Sequence, residues 1–120
     1  MAYLWVAIGG AIGTIGRFRL AAAVAKLTGP AFPWGTLLIN VAGSFVIGWF
    51  AQATGAHGAW HVSRAARIFV MIGFCGGFTT FSSFSLQTIE LLRSRPLWGV
   101  SYIFLSVALC LAATWVSAFL

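Results

Sequence analysis

Residues 73–85 read Gly73-Phe74-Cys75-Gly76-Gly77-Phe78-Thr79-Thr80-Phe81-Ser82-Ser83-Phe84-Ser85. They lie inside a longer apolar run, Ala66 to Leu92, that exceeds the ~20 residues needed to cross a bilayer core. Adjacent glycines followed by paired threonines make a poor helix by propensity, so the sequence predicts a span broken near its centre. Backbone freed inside a membrane is tolerated only if it is buried in protein or binds something, and unwound carbonyls suit a bare cation such as Na⁺. The alternative is an unbroken helix whose glycines serve close packing.

Three further apolar runs flank this one. Spans are expected at Tyr3 to Val24, Gly35 to Ala53, Ala66 to Leu92 and Leu97 to Phe119, within a single transmembrane domain of residues 1–120. Hydrophobic residues make up 61% of the chain and charged ones only 7%, against about a quarter charged in soluble domains, so an all-α integral membrane fold follows. The start of the first run has no basic flank or small-residue cleavage site, and it is expected to stay as a span. Connections are marked by Gly29, Pro30 and Pro33, by Gly55 and Gly58, and by Arg93-Ser94-Arg95-Pro96. Trp34 and Trp98 stand at span starts, where interfacial anchors belong.

The formal net charge of +6 does not indicate nucleic acid, because the cations are dispersed around helix ends and form no basic face. With four spans, Arg64 and Arg67 fall on the side of the termini, and Arg19, Lys26, Arg93 and Arg95 on the other. Positive loop charge fixes orientation, and this imbalance is small. It leaves open both a single orientation and insertion in both, which would permit an antiparallel homodimer. Glu90, the sole acid, is expected to pair with Arg93. Cys75 and Cys110 show no CxxC spacing and no nearby histidine, so their sequence positions indicate neither a metal site nor a disulfide.

Polar residues inside the spans carry the functional signal. Thr36, Asn40 and Ser44 recur every four residues in the second span, as do Tyr102, Ser106, Cys110 and Thr114 in the fourth, so each set tends to one helix face. Any one hydroxyl can simply bond back to the carbonyl four residues earlier. Two sustained ladders of uncharged donors suggest a hydrogen-bonding track. Phe81 and Phe84 lie three residues apart, with Ser85 and Thr88 nearby; phenyl edges carry partial positive charge and can hold a small anion without trapping it. In the first span, Gly9, Gly10, Gly13 and Gly16 offer a close-packing face. Arg17 follows as either a snorkelling anchor or an anion attractor at a vestibule.

Together, GFCGGFTTFSSFS, the GxxxR pattern at Gly13 to Arg17, PWGTLLIN at Pro33 to Asn40, and the Tyr102–Ser106 ladder closely resemble the small bacterial fluoride channels over nearly the whole chain. That resemblance implies an antiparallel dual-topology homodimer in the bacterial inner membrane, with two pores lined by both subunits. It implies fluoride-facing ring edges at Phe81 and Phe84 and an amide donor at Asn40. A polar track through Thr36, Ser85, Tyr102, Ser106 and Cys110 and a vestibule arginine at Arg17 go with it. A structural Na⁺ on the two-fold axis, held by the main-chain carbonyls of Gly76 and Thr79, is also implied. Family members often carry Glu where this chain has Gln87 and a hydroxyl where it has Cys110. A small proton-coupled multidrug transporter of similar size is the main competitor, but it needs a membrane-embedded carboxylate, and the first two spans hold no acid. No clustered catalytic set is visible, so no enzyme is expected.

Overall fold

The computed structural model describes all residues, Met1–Leu120, as helices and short connections. Helix α1 spans Ala2–Thr28 and α2 spans Trp34–Ala53. The third spanning segment, Arg64–Ser94, is composite. It comprises α3 (Arg64–Arg67), a π-helical stretch (Ile68–Phe74), α4 (Cys75–Phe78) and, after a break at Thr79 and Thr80, α5 (Phe81–Ser94). Helix α6, Pro96–Ser117, completes the chain. Four of these segments are long and apolar enough to cross a membrane, and each has few buried residues within the single chain.

The helix ends follow the local chemistry. Pro30 and Pro33 stand between α1 and α2, and Thr28 closes α1 by donating its hydroxyl to Val24 O (2.9 Å). Ser63 caps α3 by accepting from Ala66 N (3.1 Å), as N-cap side chains do. Pro96 occupies the first turn of α6, where its missing N–H costs nothing. At the same end of the bundle Phe32 packs on Trp34, Trp98 and Tyr102, and the Arg95 guanidinium lies 4.3 Å from the Trp98 ring centroid. Glu90 and Arg93 are both exposed and form no ion pair, contrary to the spacing argument; Arg95, the nearest other cation in sequence, stacks on Trp98 instead.

Helix α1 lies against the π-helical stretch and α4, whereas α2 and α5 pack on α6. The first of these contacts is backbone to backbone. A Cβ added at Gly73 would sit 3.0 Å from Gly9 Cα, and one at Gly77 would sit 2.5 Å from Gly10 O and 2.9 Å from Thr14 Oγ1. Glycine is required on both helices for this approach, as small residues are at close membrane-helix crossings. On the other side, Gly43 lets α2 reach the break, where its missing side chain makes room for the Thr79 methyl. Gly48 does the same for the Thr114–Ser117 turn of α6.

Candidate functional site

The break in the third segment falls at the threonines, two residues beyond the glycine pair. Its polar groups are met by side chains from the two preceding helices. Asn40 of α2 grips one peptide unit from both sides, its Nδ2 donating to Thr80 O (3.0 Å) and its Oδ1 accepting from Thr80 N (2.8 Å). Arg17 of α1 donates through Nε to Gly77 O (3.1 Å). Thr79 turns its hydroxyl back to Cys75 O (2.7 Å), and Thr80 accepts from Ser83 N (3.2 Å), capping α5. Each contact offsets a cost of several kcal/mol that an unpaired polar group would carry in hydrocarbon.

The carbonyls left out of this arrangement include those of Gly76 and Thr79. The N–H that a continuous helix would direct at Gly76 goes to Asn40, and the one it would direct at Thr79, from Ser83, goes to the Thr80 hydroxyl. Both residues line a groove of about 440 Å³ between α2, the third segment and α6. Nothing lies within 4 Å of where a Cβ of Gly76 would be.

Asn40, Phe81, Phe84, Ser106 and Cys110 line the same groove. Phe81 is 79% exposed in the single chain, and its ring centroid lies 5.4 Å from that of buried Phe84. Ser106 Oγ is buried with no hydrogen-bond partner, alone among the side-chain polar atoms. A buried hydroxyl that finds no partner in its own chain needs an explanation.

The remaining predicted residues lie elsewhere. Tyr102 is fully buried, its ring tilted 51° against that of Phe84 with centroids 5.1 Å apart, and it donates its hydroxyl to Gln87 Oε1 (3.0 Å). Thr36 is buried and lines a separate cavity of about 460 Å³, with Gln87, Glu90 and Phe32, at the α1–α2 connection. Ser85 is exposed and does not line the groove; Thr88 is buried and bonds back to Phe84 O (2.7 Å). Thr114, the last rung of the α6 ladder, donates across to Ser44 O (3.0 Å). Arg17 is half-buried at the break. Residues that the sequence did not single out as functional include Gly43, Met71 and Thr80, which line the groove. Gly43 follows Asn40 by three residues on the same helix face, and that spacing is the signal that could have found it.

Residues 4–118 match the family described as "CrcB-like protein, Camphor Resistance (CrcB)". The chain belongs to the CrcB family. It is 56% identical over 116 residues to a protein of Methylocella silvestris named fluoride-specific ion channel FluC, covering 96% of this chain and 88% of that one. A protein of the same name from Opitutus terrae is 53% identical over 115 residues, covering 94% of this chain and 86% of the relative. A third, from Rhodospirillum rubrum, is 49% identical over 116 residues, covering 96% and 90% respectively. Four apolar helices and a family with these bacterial members make the chain a multi-pass protein of the bacterial inner membrane. As a CrcB-family transport protein it is not an enzyme.

Proposed function

We propose that this chain is a passive fluoride-selective channel that exports cytoplasmic fluoride and confers fluoride resistance. Its working form is an antiparallel dual-topology homodimer with two pores, each lined by both subunits. The observation that carries the reading is the groove, which Phe81, Phe84, Asn40 and Ser106 with its orphaned hydroxyl line together and which no charged residue lines. One Asn40 N–H is spent on Thr80 O, and an amide nitrogen carries two, so the second is available to an anion. Weak, distributed donors of this kind hold a compact anion and still release it. Cys110 continues the track as a weaker donor than a hydroxyl. Tyr102, Thr36 and Ser85 extend it toward the α1–α2 end, and Arg17 adds positive potential from the break. The partner subunit and surrounding lipid cover the apolar faces left exposed on each chain.

The Gly76 and Thr79 carbonyls fit the implied structural Na⁺: both are main-chain oxygens deprived of their helical donors, on residues that line the groove. Oxygen donors suit a hard cation. That ion would neutralise their partial negative charge and fix the break at the two-fold axis.

Neutral hydrogen fluoride enters cells across lipid and ionises in a less acidic cytoplasm. The membrane potential then drives the trapped anion out by ~2.3 kcal/mol per charge per 100 mV, with no ATP site or protonatable carrier. A proton-coupled drug transporter is disfavoured because Glu90, the sole acid, stands exposed near a helix end. In liposomes containing only the purified chain, fluoride efflux is expected to far exceed chloride efflux. Reporters at the C-terminus are expected on both membrane faces. Equal chloride flux, or flux strictly tied to protons, overturns the channel; a uniform orientation overturns the antiparallel dimer.

A further inference from the structure

The groove has a second chemical character beside its polar one. The chain contains two cysteines and two methionines, and all of them except Met1 line this one cavity. Met71 and Cys75 lie one turn apart on the third segment. Cys110 comes from α6, on a different wall, one turn beyond Ser106 and its unpartnered buried hydroxyl. Both thiols are free, Cys75 buried and Cys110 half-buried. No carboxylate or imidazole lines the groove. Sequence spacing could not show this cluster, because Cys75 and Cys110 belong to different helices.

We propose that the groove is a binding site for a soft monovalent cation of the copper(I) or silver(I) class, held by Cys110, Cys75 and Met71. Thiolate and thioether sulfur select such ions, whereas magnesium, calcium and manganese prefer oxygen sets. As a sulfur–metal bond forms, one thiol releases its proton to water; the thiolate and the cation together make a neutral unit. The second thiol and the thioether bind as neutral donors, and nothing is oxidised or reduced. A neutral complex suits an apolar cavity better than the free ion does. The bound ion narrows the groove beside Ser106, so it blocks fluoride flux; this consequence rests on the channel reading, whereas the site itself does not.

The test loads the full purified chain with silver nitrate in chloride-free detergent solution, desalts it and measures retained silver. About one silver per chain is expected, with retention falling to background in Cys110→Ser and in Cys75→Ser. Size-exclusion chromatography checks each variant, and Cys110→Ser, at a half-buried position, carries the test if Cys75→Ser misfolds. No retained silver in the unmodified chain, or full retention by Cys110→Ser, overturns the proposal. In proteoliposomes, silver-loaded protein is expected to lose most of its fluoride flux and to regain it with excess dithiol. Unhindered flux through silver-loaded protein overturns the block. A chain that retains silver but passes no fluoride even without it sinks the channel reading and leaves the sulfur site standing.

Discussion

Gly76 and Gly77 are chemically identical neighbours in the third segment, yet they face opposite worlds. A side chain at Gly77 would meet the Gly10 carbonyl and Thr14, whereas one at Gly76 would meet nothing within 4 Å. The α1 side of the segment is saturated: backbones touch, and Arg17 occupies the Gly77 carbonyl. The α2–α6 side is open, with carbonyls short of donors and a hydroxyl without a partner. A glycine in a membrane span is therefore no guide to its role until its neighbour is known. One closes a contact and the other keeps a space.

The largest effect comes from breaking the closed side. Gly13→Ala would press a methyl to 2.9 Å from Phe78 N, and Gly77→Ala is equally obstructed by backbone. Overpacking of this kind costs about 1–3 kcal/mol, and rigid main chain on both sides puts these positions at the upper end. Both variants are expected to lose most monodisperse protein on size exclusion. Gly76→Ala is expected to fold as the unmodified chain does, and equal losses at Gly76 and Gly77 would erase the contrast.

The next effect strikes the joint between the two sides. Asn40→Asp keeps an acceptor for Thr80 N but removes the donor to Thr80 O, so it loosens the break as well as adding charge. Two like charges 4 Å apart repel by ~4 kcal/mol at an effective dielectric of 20, so fluoride flux should nearly vanish wherever the carboxylate is ionised. Leu38→Ala, at an exposed position half a turn away, is the control and should matter far less in the same electrode assay.

The smallest effect separates two rings that the sequence treats alike. Phe81→Ile and Phe84→Ile both remove the ring quadrupole, and both should lower fluoride flux. Only Phe84 is buried against Leu37, Leu91 and Tyr102, so only Phe84→Ile should lower the thermal midpoint, by the equivalent of about 1 kcal/mol. Matching midpoints for the two variants, or unchanged flux in both, would show that the rings do not divide labour this way.

Four spans and the broken third one were legible in the sequence because apolar length and weak helix propensity are local properties. The helix ends moved by a few residues, most at α1, which continues to Thr28. The π-helical turn at Ile68–Phe74 left no mark in an unremarkable apolar run. The polar ladders were legible only in part, for a geometric reason. Four residues advance an α-helix by about 400°, so a four-residue ladder drifts roughly 40° per rung. From Tyr102 to Thr114 that drift accumulates over three rungs, which is why Ser106 and Cys110 face the groove while Tyr102 meets Gln87 and Thr114 meets α2. Asn40 stood out in the sequence as a polar residue inside a span, but its two-handed hold on Thr80 depends on a contact forty residues away.

That hold also bears on the order in which the molecule is made. Chains leave the ribosome N-terminal end first, so Arg17 and Asn40 are made before the peptide units they bind. Once α1 and α2 have come together, the incoming third segment finds donors and an acceptor already waiting for its exposed main-chain groups. The side chains that hold the broken segment's main chain from outside it thus all belong to the first forty residues.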